Sequence, residues 1–167
     1  MPTSVPGSLA PGQPDSALNV LIADDNPTDR MILGRLVTQL GHRVISAENG
    51  LEAVDHFLSQ RPDLVLLDAL MPVMDGFEAA RQIKQASGED LVPIIFLTSL
   101  TETGALVQCL EAGGDDFLTK PYNPVILQAK IQAFNRMQDM HQTLQQQRDL
   151  ISLQHQRLLQ EQQLAKI

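Results

Sequence analysis

The chain has 167 residues, 43% of them hydrophobic, and a net charge of −8, which is enough for one cored domain and an appendage. That charge argues against nucleic-acid binding by this chain, which would call for a basic patch, and is compatible with binding cations. The single cysteine, Cys109, excludes an internal disulfide framework and makes a reducing cytoplasm the natural setting.

The opening "MPTSVPGSLAPGQPDSA" (1–17) scatters Pro2, Pro6, Pro11 and Pro14 among Gly and Ser. It has neither the basic start nor the apolar core of a signal peptide, and a disordered tail is expected. No stretch approaches the roughly 20 apolar residues that span a bilayer. At residue 19 the texture changes. "NVLIA" is a strand, and "DDNPTD" leads into the helical pattern "RMILGRLVTQLG", which Gly41 ends. "RVISA" is the second strand, "ENG" a turn, and "LEAVDHFLSQ" an amphipathic helix stopped before Pro62. "LVLL" is a third strand, running straight into Asp68 with no polar buffer. "FEAARQIKQAS" is a helix, "VPIIFL" the fourth strand, "TETGALVQCLEAGG" a helix carrying Cys109 in its core pattern, and "DFLT" the fifth strand.

Strand and helix alternate five times. This rhythm predicts an open, doubly wound α/β fold, with a parallel sheet covered by helices on both faces. Such sheets bind ligands at the carboxyl ends of their strands. Asp24 and Asp25 end the first strand, Asp68 the third, Thr98 the fourth and Lys120 the fifth, whereas the second offers little near Ala47 and Glu48. A buried, unpaired carboxylate costs several kcal/mol or takes up a proton, so Asp68 needs that company.

With "LIADDNPTDR", "LLDALMPVMDGFE", "FLTSL" and "DDFLTKPYN" in this order and at these strand ends, residues 18–137 resemble a response-regulator receiver domain of two-component systems. The resemblance implies a flavodoxin-like, five-stranded sheet of order 2-1-3-4-5. It also implies that Asp68 accepts a phosphoryl group from a sensor histidine kinase or a histidine phosphotransfer protein. Mg²⁺ would be held directly by Asp25 and Asp68, through water by Asp24, and by the backbone carbonyl of Leu70. Chemistry agrees: clustered carboxylates repel one another, and a hard cation that keeps several waters relieves them and leaves room for a phosphoryl oxygen. Lys120 would neutralise charge developing on the phosphoryl group, and Thr98 would donate its hydroxyl to it. By the same resemblance Thr98 and Phe117 form a switch, and the Lys120–Pro121 peptide is cis. Asn26 or Thr28 caps the first helix. Gly76 permits a sharp bend before the third helix, which Asp75 caps. His42, His56, His141 and His155 lack metal-like partners.

Two departures from the family pattern are Leu70 and Leu100, each two residues past a site residue. Both are apolar and flank the path of water to an acyl phosphate, so a long-lived phosphoryl state is expected, shortened in Leu70→Asn and Leu100→Asn. A turnover phosphatase of the haloacid-dehalogenase type would want an acid where Leu70 stands. A nucleotide-binding module would want a glycine-rich loop in place of "ADDNPTD". A degenerate receiver would lack some of the site residues, and none is missing. The chain is therefore expected to be a phosphoacceptor and not itself an enzyme.

Beyond Pro124 the last helix continues without Gly or Pro. Met137, Leu144, Ile151, Leu158 and Ala165 recur at heptad spacing, while the companion seam of Met140, Gln147, Gln154 and Glu161 is mostly polar. A weak parallel homodimer through this stalk (138–167), and through the fourth and fifth helices, is expected. The chain stops in mid-pattern, so an output domain beyond it is expected. The ending "LLQEQQLAKI" is similar to stalks before PP2C-type phosphatase outputs, and diguanylate cyclase outputs use comparable ones.

Overall fold

The computed structural model describes residues 17–99 and 103–165. The proline-rich segment 1–16 and Leu100 lie outside the described residues.

Ten elements alternate along the described residues. They are β1 (Asn19–Ala23), α1 (Pro27–Gln39), β2 (Arg43–Ala47), α2 (Gly50–Gln60), β3 (Leu64–Asp68), α3 (Gly76–Ser87), β4 (Ile94–Thr98), α4 (Thr103–Glu111), β5 (Asp116–Thr119) and α5 (Pro124–Ala165). The sheet is parallel throughout, in the order β2-β1-β3-β4-β5. β3 and β4 are buried at every position, as strands covered on both faces must be. Their alternation sorts the core. Leu21, Ala23, Val65, Leu67, Ile94 and Phe96 face α2, α3 and α4, where Phe57, Ala80, Ile83 and Cys109 meet them. Intervening residues such as Ile22, Leu66 and Leu97 point to the opposite face and are equally buried. Burial raises the pKa of the Cys109 thiol, which fits a core role.

The strands begin and end close to the predicted positions, and the helices differ by a turn at most. α1 starts at Pro27, three residues before the apolar pattern does, because Asn26 caps it by accepting from the Thr28 and Asp29 N–H groups at 2.9 and 3.2 Å. α2 closes on Arg61 in the left-handed region, at φ 47°. Asp75 caps α3 through the Glu78 N–H at 2.9 Å. Gly76 corrects one expectation. Its φ is not in the left-handed region, so a sharp bend is not what demands glycine; a Cβ there would stand 2.0 Å from the Asp68 carbonyl oxygen. Close approach of α3 to the end of β3 fixes the residue.

His42 is a satisfied core histidine: buried, it accepts the Leu18 N–H on Nδ1 at 3.1 Å. Burial lowers its pKa below 6.5, so the folded chain favours the neutral ring. The unfolded chain therefore binds more protons as pH falls, and stability present above 6.5 is lost as pH drops through the folded value. Urea midpoints measured from about pH 7.5 to about pH 5 should fall less steeply for His42→Asn than for the parent. Parallel curves would show that the ring titrates without consequence.

Spatial contacts divide the chain into two compact units, Met1–Lys130 and Ile131–Ile167. The second unit is the continuation of α5. Along it Met137, Leu144, Ile151 and Leu158 are all exposed, as are Leu150, Leu153, Leu159 and Leu164 away from that stripe. No helix among the described residues is long and apolar enough to cross a membrane.

Candidate functional site at the carboxyl edge of the sheet

Adjacent parallel strands in register bring β1 and β3 to a common edge, so Asp24, Asp25 and Asp68 meet. One carboxylate oxygen from each lies within 4.8 Å of the others. Asp24 is fully buried, Asp68 is buried, and Asp25 is exposed. Lys120, at the end of β5, answers the question posed by Asp68. Its Nζ lies 3.2 Å from Asp68 Oδ2, 3.2 Å from Asp24 Oδ2 and 3.1 Å from Asp29 Oδ2. The Lys120 N–H donates to the Thr98 carbonyl at 3.0 Å, so Thr98, buried at the end of β4, is joined to the same edge. The Lys120–Pro121 peptide is cis, as expected.

Each acid is held differently. Asp24 accepts the Asn26 N–H on Oδ1 at 3.0 Å and the Tyr122 hydroxyl on Oδ2 at 3.4 Å. Its own carbonyl accepts from Arg30 at 2.7 Å. Asp68 Oδ1 receives the Leu70 N–H, at 3.3 Å. Burial pushes the Asp68 pKa up to about 6; Lys120 opposes the rise and the Asp24 charge adds to it. Burial acts against the Lys120 ammonium, but Asp29 and Asp68 outweigh it and its pKa ends above the usual lysine value. Burial also raises the Tyr122 phenol, against the pull of Lys120 and with the neighbouring carboxylates, so it stays protonated as a donor.

A hard divalent cation fits this donor set. Asp24, Asp25 and Asp68 offer carboxylate oxygens alone, with no thiolate or imidazole in the group, and their mutual repulsion is only partly answered by one ammonium. Asp25 is the open member, exposed to solvent from which an ion arrives.

Phe117 is half-buried and packs against the α2–α4 side of the core, with the Lys130 ammonium 5.9 Å from its ring centre. Lys130 is also paired with Asp116, at 2.6 Å. Leu70 is exposed.

Three residues of the site went unread in the sequence: Asp29, Tyr122 and Arg30. For Asp29 a signal existed. It sits at the third helical position after the Asn26 cap, and side chains there lean back toward the helix start, which is the strand edge. Tyr122 follows Lys120 by two positions, but only the fold shows that its hydroxyl turns to Asp24.

Residues 20–132 match the family model of the response regulator receiver domain. A relative from Porphyra purpurea, described as probable transcriptional regulator ycf27, is 39% identical over 120 residues, covering 72% of this chain and 48% of its own length. The chain thus spans about half the length of the curated relatives it matches. Among solved structures, it is similar to the receiver domain of sensor histidine kinase PA1611 from Pseudomonas aeruginosa PAO1, solved with a magnesium ion in its active-site cleft. That likeness has TM-score 0.66 and 35% identity, covering 71% of this chain and 98% of the other. It is also similar to the receiver domain of Ssk1 from Saccharomyces cerevisiae, crystallised with the histidine phosphotransfer protein Ypd1. Here the TM-score is 0.68 and the identity 32%, covering 73% of this chain and 91% of the other.

Proposed function

Because this chain belongs to the response regulator receiver domain family, we propose that it is the phosphoacceptor of a two-component phosphorelay, taking a phosphoryl group on Asp68. The observation that carries the reading is the gathering of Lys120 onto Asp68 and Asp24, beside Asp25, at the carboxyl edge of the sheet. An Asp68 carboxylate oxygen forms the new bond to phosphorus. The bond from phosphorus to the donor's imidazole nitrogen breaks, and its electron pair leaves with the imidazole. Asp68 is ionised near neutrality, since its pKa of about 6 lies below that pH. The Lys120 ammonium stands ready to meet charge on the phosphoryl oxygens. Asp25 and Asp68 would hold Mg²⁺ directly, with Asp24 through water and the Leu70 carbonyl. When bound, the ion would supply further positive charge against the same oxygens. The PA1611 receiver with its magnesium ion supports that assignment, and the Ypd1 complex of a similar receiver supports a histidine kinase or phosphotransfer protein as donor.

In the same reading the phosphorylated Asp68 draws the Thr98 hydroxyl inward, and Phe117 follows by exchanging rotamers. The faces of α4 and α5 then change, and with them the pairing of two copies. We assign residues 18–137 to the receiver and 138–167 to a coiled-coil linker, which would pass the change to an output domain in a longer cytoplasmic regulator. The exposed heptad stripe supports self-association, and the partial coverage of the relatives supports a longer protein.

Intact mass spectrometry after incubation with acetyl phosphate and Mg²⁺ should show one added phosphoryl group, and excess EDTA should prevent it. A chain whose mass does not change with Mg²⁺ present would refute the reading.

A further inference from the structure

We infer that Asp29 is a positioning residue for phosphoryl capture, one that holds Lys120 back and favours the cation over the phosphoryl group. The inference rests on the reading of Asp68 as phosphoacceptor. Asp29 stands at the third position of α1, where an acid ordinarily reaches back to the N–H of the capping residue. Here that role is taken: the Asn26 N–H donates to Asp24 Oδ1 at 3.0 Å. The Asp29 carboxylate turns instead to Lys120, at 3.1 Å, bridging two chain segments 91 residues apart. Its side chain is only 32% exposed, so the charge is partly shielded from solvent. The backbone beneath it is fixed by the Asn26 cap and by the clamp of Arg30 on the Asp24 carbonyl.

One ammonium is thus divided among Asp24, Asp29 and Asp68. An arriving phosphoryl group has to compete with Asp29 for Lys120 and also meets the repulsion of an additional negative charge. A divalent cation in the pocket feels the opposite sign and is attracted by that charge. Asp29 therefore acts in opposite directions on the two ligands of one site. A carboxylate that merely stabilised the start of α1 would move neither in this way.

The test uses the full chain and its Asp29→Asn and Asp29→Glu variants. Tyr122 is the single tyrosine and the chain has no tryptophan, so intrinsic fluorescence reports on the residue that touches Asp24. Titration with Mg²⁺ gives the cation affinity. Titration with beryllofluoride at saturating Mg²⁺ gives the phosphoryl-mimic affinity, and acetyl phosphate gives the labelling rate. Asp29→Asn should weaken Mg²⁺ and tighten beryllofluoride, and should speed labelling, each roughly three- to tenfold, the scale of one partly screened charge at this range. Asp29→Glu, which restores the charge, should return all three toward the parent. Constants that stay put in Asp29→Asn, or that shift in the same direction for both ligands, would overturn the inference while a labelled parent leaves the underlying reading intact. A parent that takes up no phosphoryl group overturns both.

Discussion

Asp68→Asn is expected to abolish phosphoryl uptake and, in ion-free buffer, to make the folded chain more stable than the parent. The two effects have separate causes. A carboxamide carries no anionic oxygen to attack phosphorus, so labelling by acetyl phosphate should fall by roughly a thousandfold or more. The stability gain follows from the carboxyl's position. Its pKa is about 6 in the folded chain against an ordinary 3.8, so the fold binds that proton more tightly than the unfolded chain does. Stability contributed by the protonated form is complete below 3.8 and lost as pH rises through about 6. At neutral pH the ionised group is a liability, and the neutral amide removes it, worth about 1–3 kcal/mol at pH 7.5 in EDTA. Lys120 keeps Asp24 and Asp29 as partners in the variant, which limits any loss on its side. Urea denaturation with EDTA and with Mg²⁺ measures this, and the ion should stabilise the parent more than Asp68→Asn. Labelling at the parental rate would remove Asp68 from its role. A variant weaker than the parent in EDTA would show that packing, rather than charge, governs the position.

Gly76→Ala is expected to be the most damaging glycine-to-alanine change among the described residues. The added carbon would meet the Asp68 carbonyl oxygen at 2.0 Å, and the Asp68 carbonyl carbon and the Ala69 Cα each at 2.9 Å. All three are backbone, so no rotamer change relieves the clash. α3 would have to lift off the end of β3, breaking the Gly76 N–H bond to the Ala69 carbonyl at 2.9 Å. A cost of about 3 kcal/mol or more is expected, a large share of the ~5–15 kcal/mol that holds such a domain together. Surviving folded molecules should label slowly, because the displaced backbone is that of Asp68 itself. Gly104→Ala is the control: nothing lies within 4 Å of a Cβ there, and helix propensity predicts a gain of up to about 0.5 kcal/mol. Thermal midpoints of the two variants that coincide would dismiss the close-approach argument.

Much of the scaffold was legible in the order of residues. Apolar runs of strand length, each followed by a helical period, specify a parallel sheet because only helices on both faces can cover strands that are apolar on both sides. The Asp24–Asp25 pair, Asp68, Thr98 and Lys120 were legible too, since every one ends a strand. What a linear reading places poorly is any contact set by how a helix rotates on the sheet. Asp29 illustrates this: its place suggests a helix-start charge, and the fold brings the start of α1 within reach of Lys120, which follows β5, so the carboxylate meets that ammonium. Gly76 looked like a bend and is instead a point of contact.

The sequence by itself determined the strands, their burial and the identities of the acids and the lysine at their ends, because periodicity and local chain chemistry dictate those. Only the tertiary structure decided which carboxylates share the ammonium, how deeply Asp24 and Asp68 are withdrawn from water, and therefore how far their charges are felt. Distance and desolvation are properties of residues far apart in the chain, and no stretch of sequence contains them.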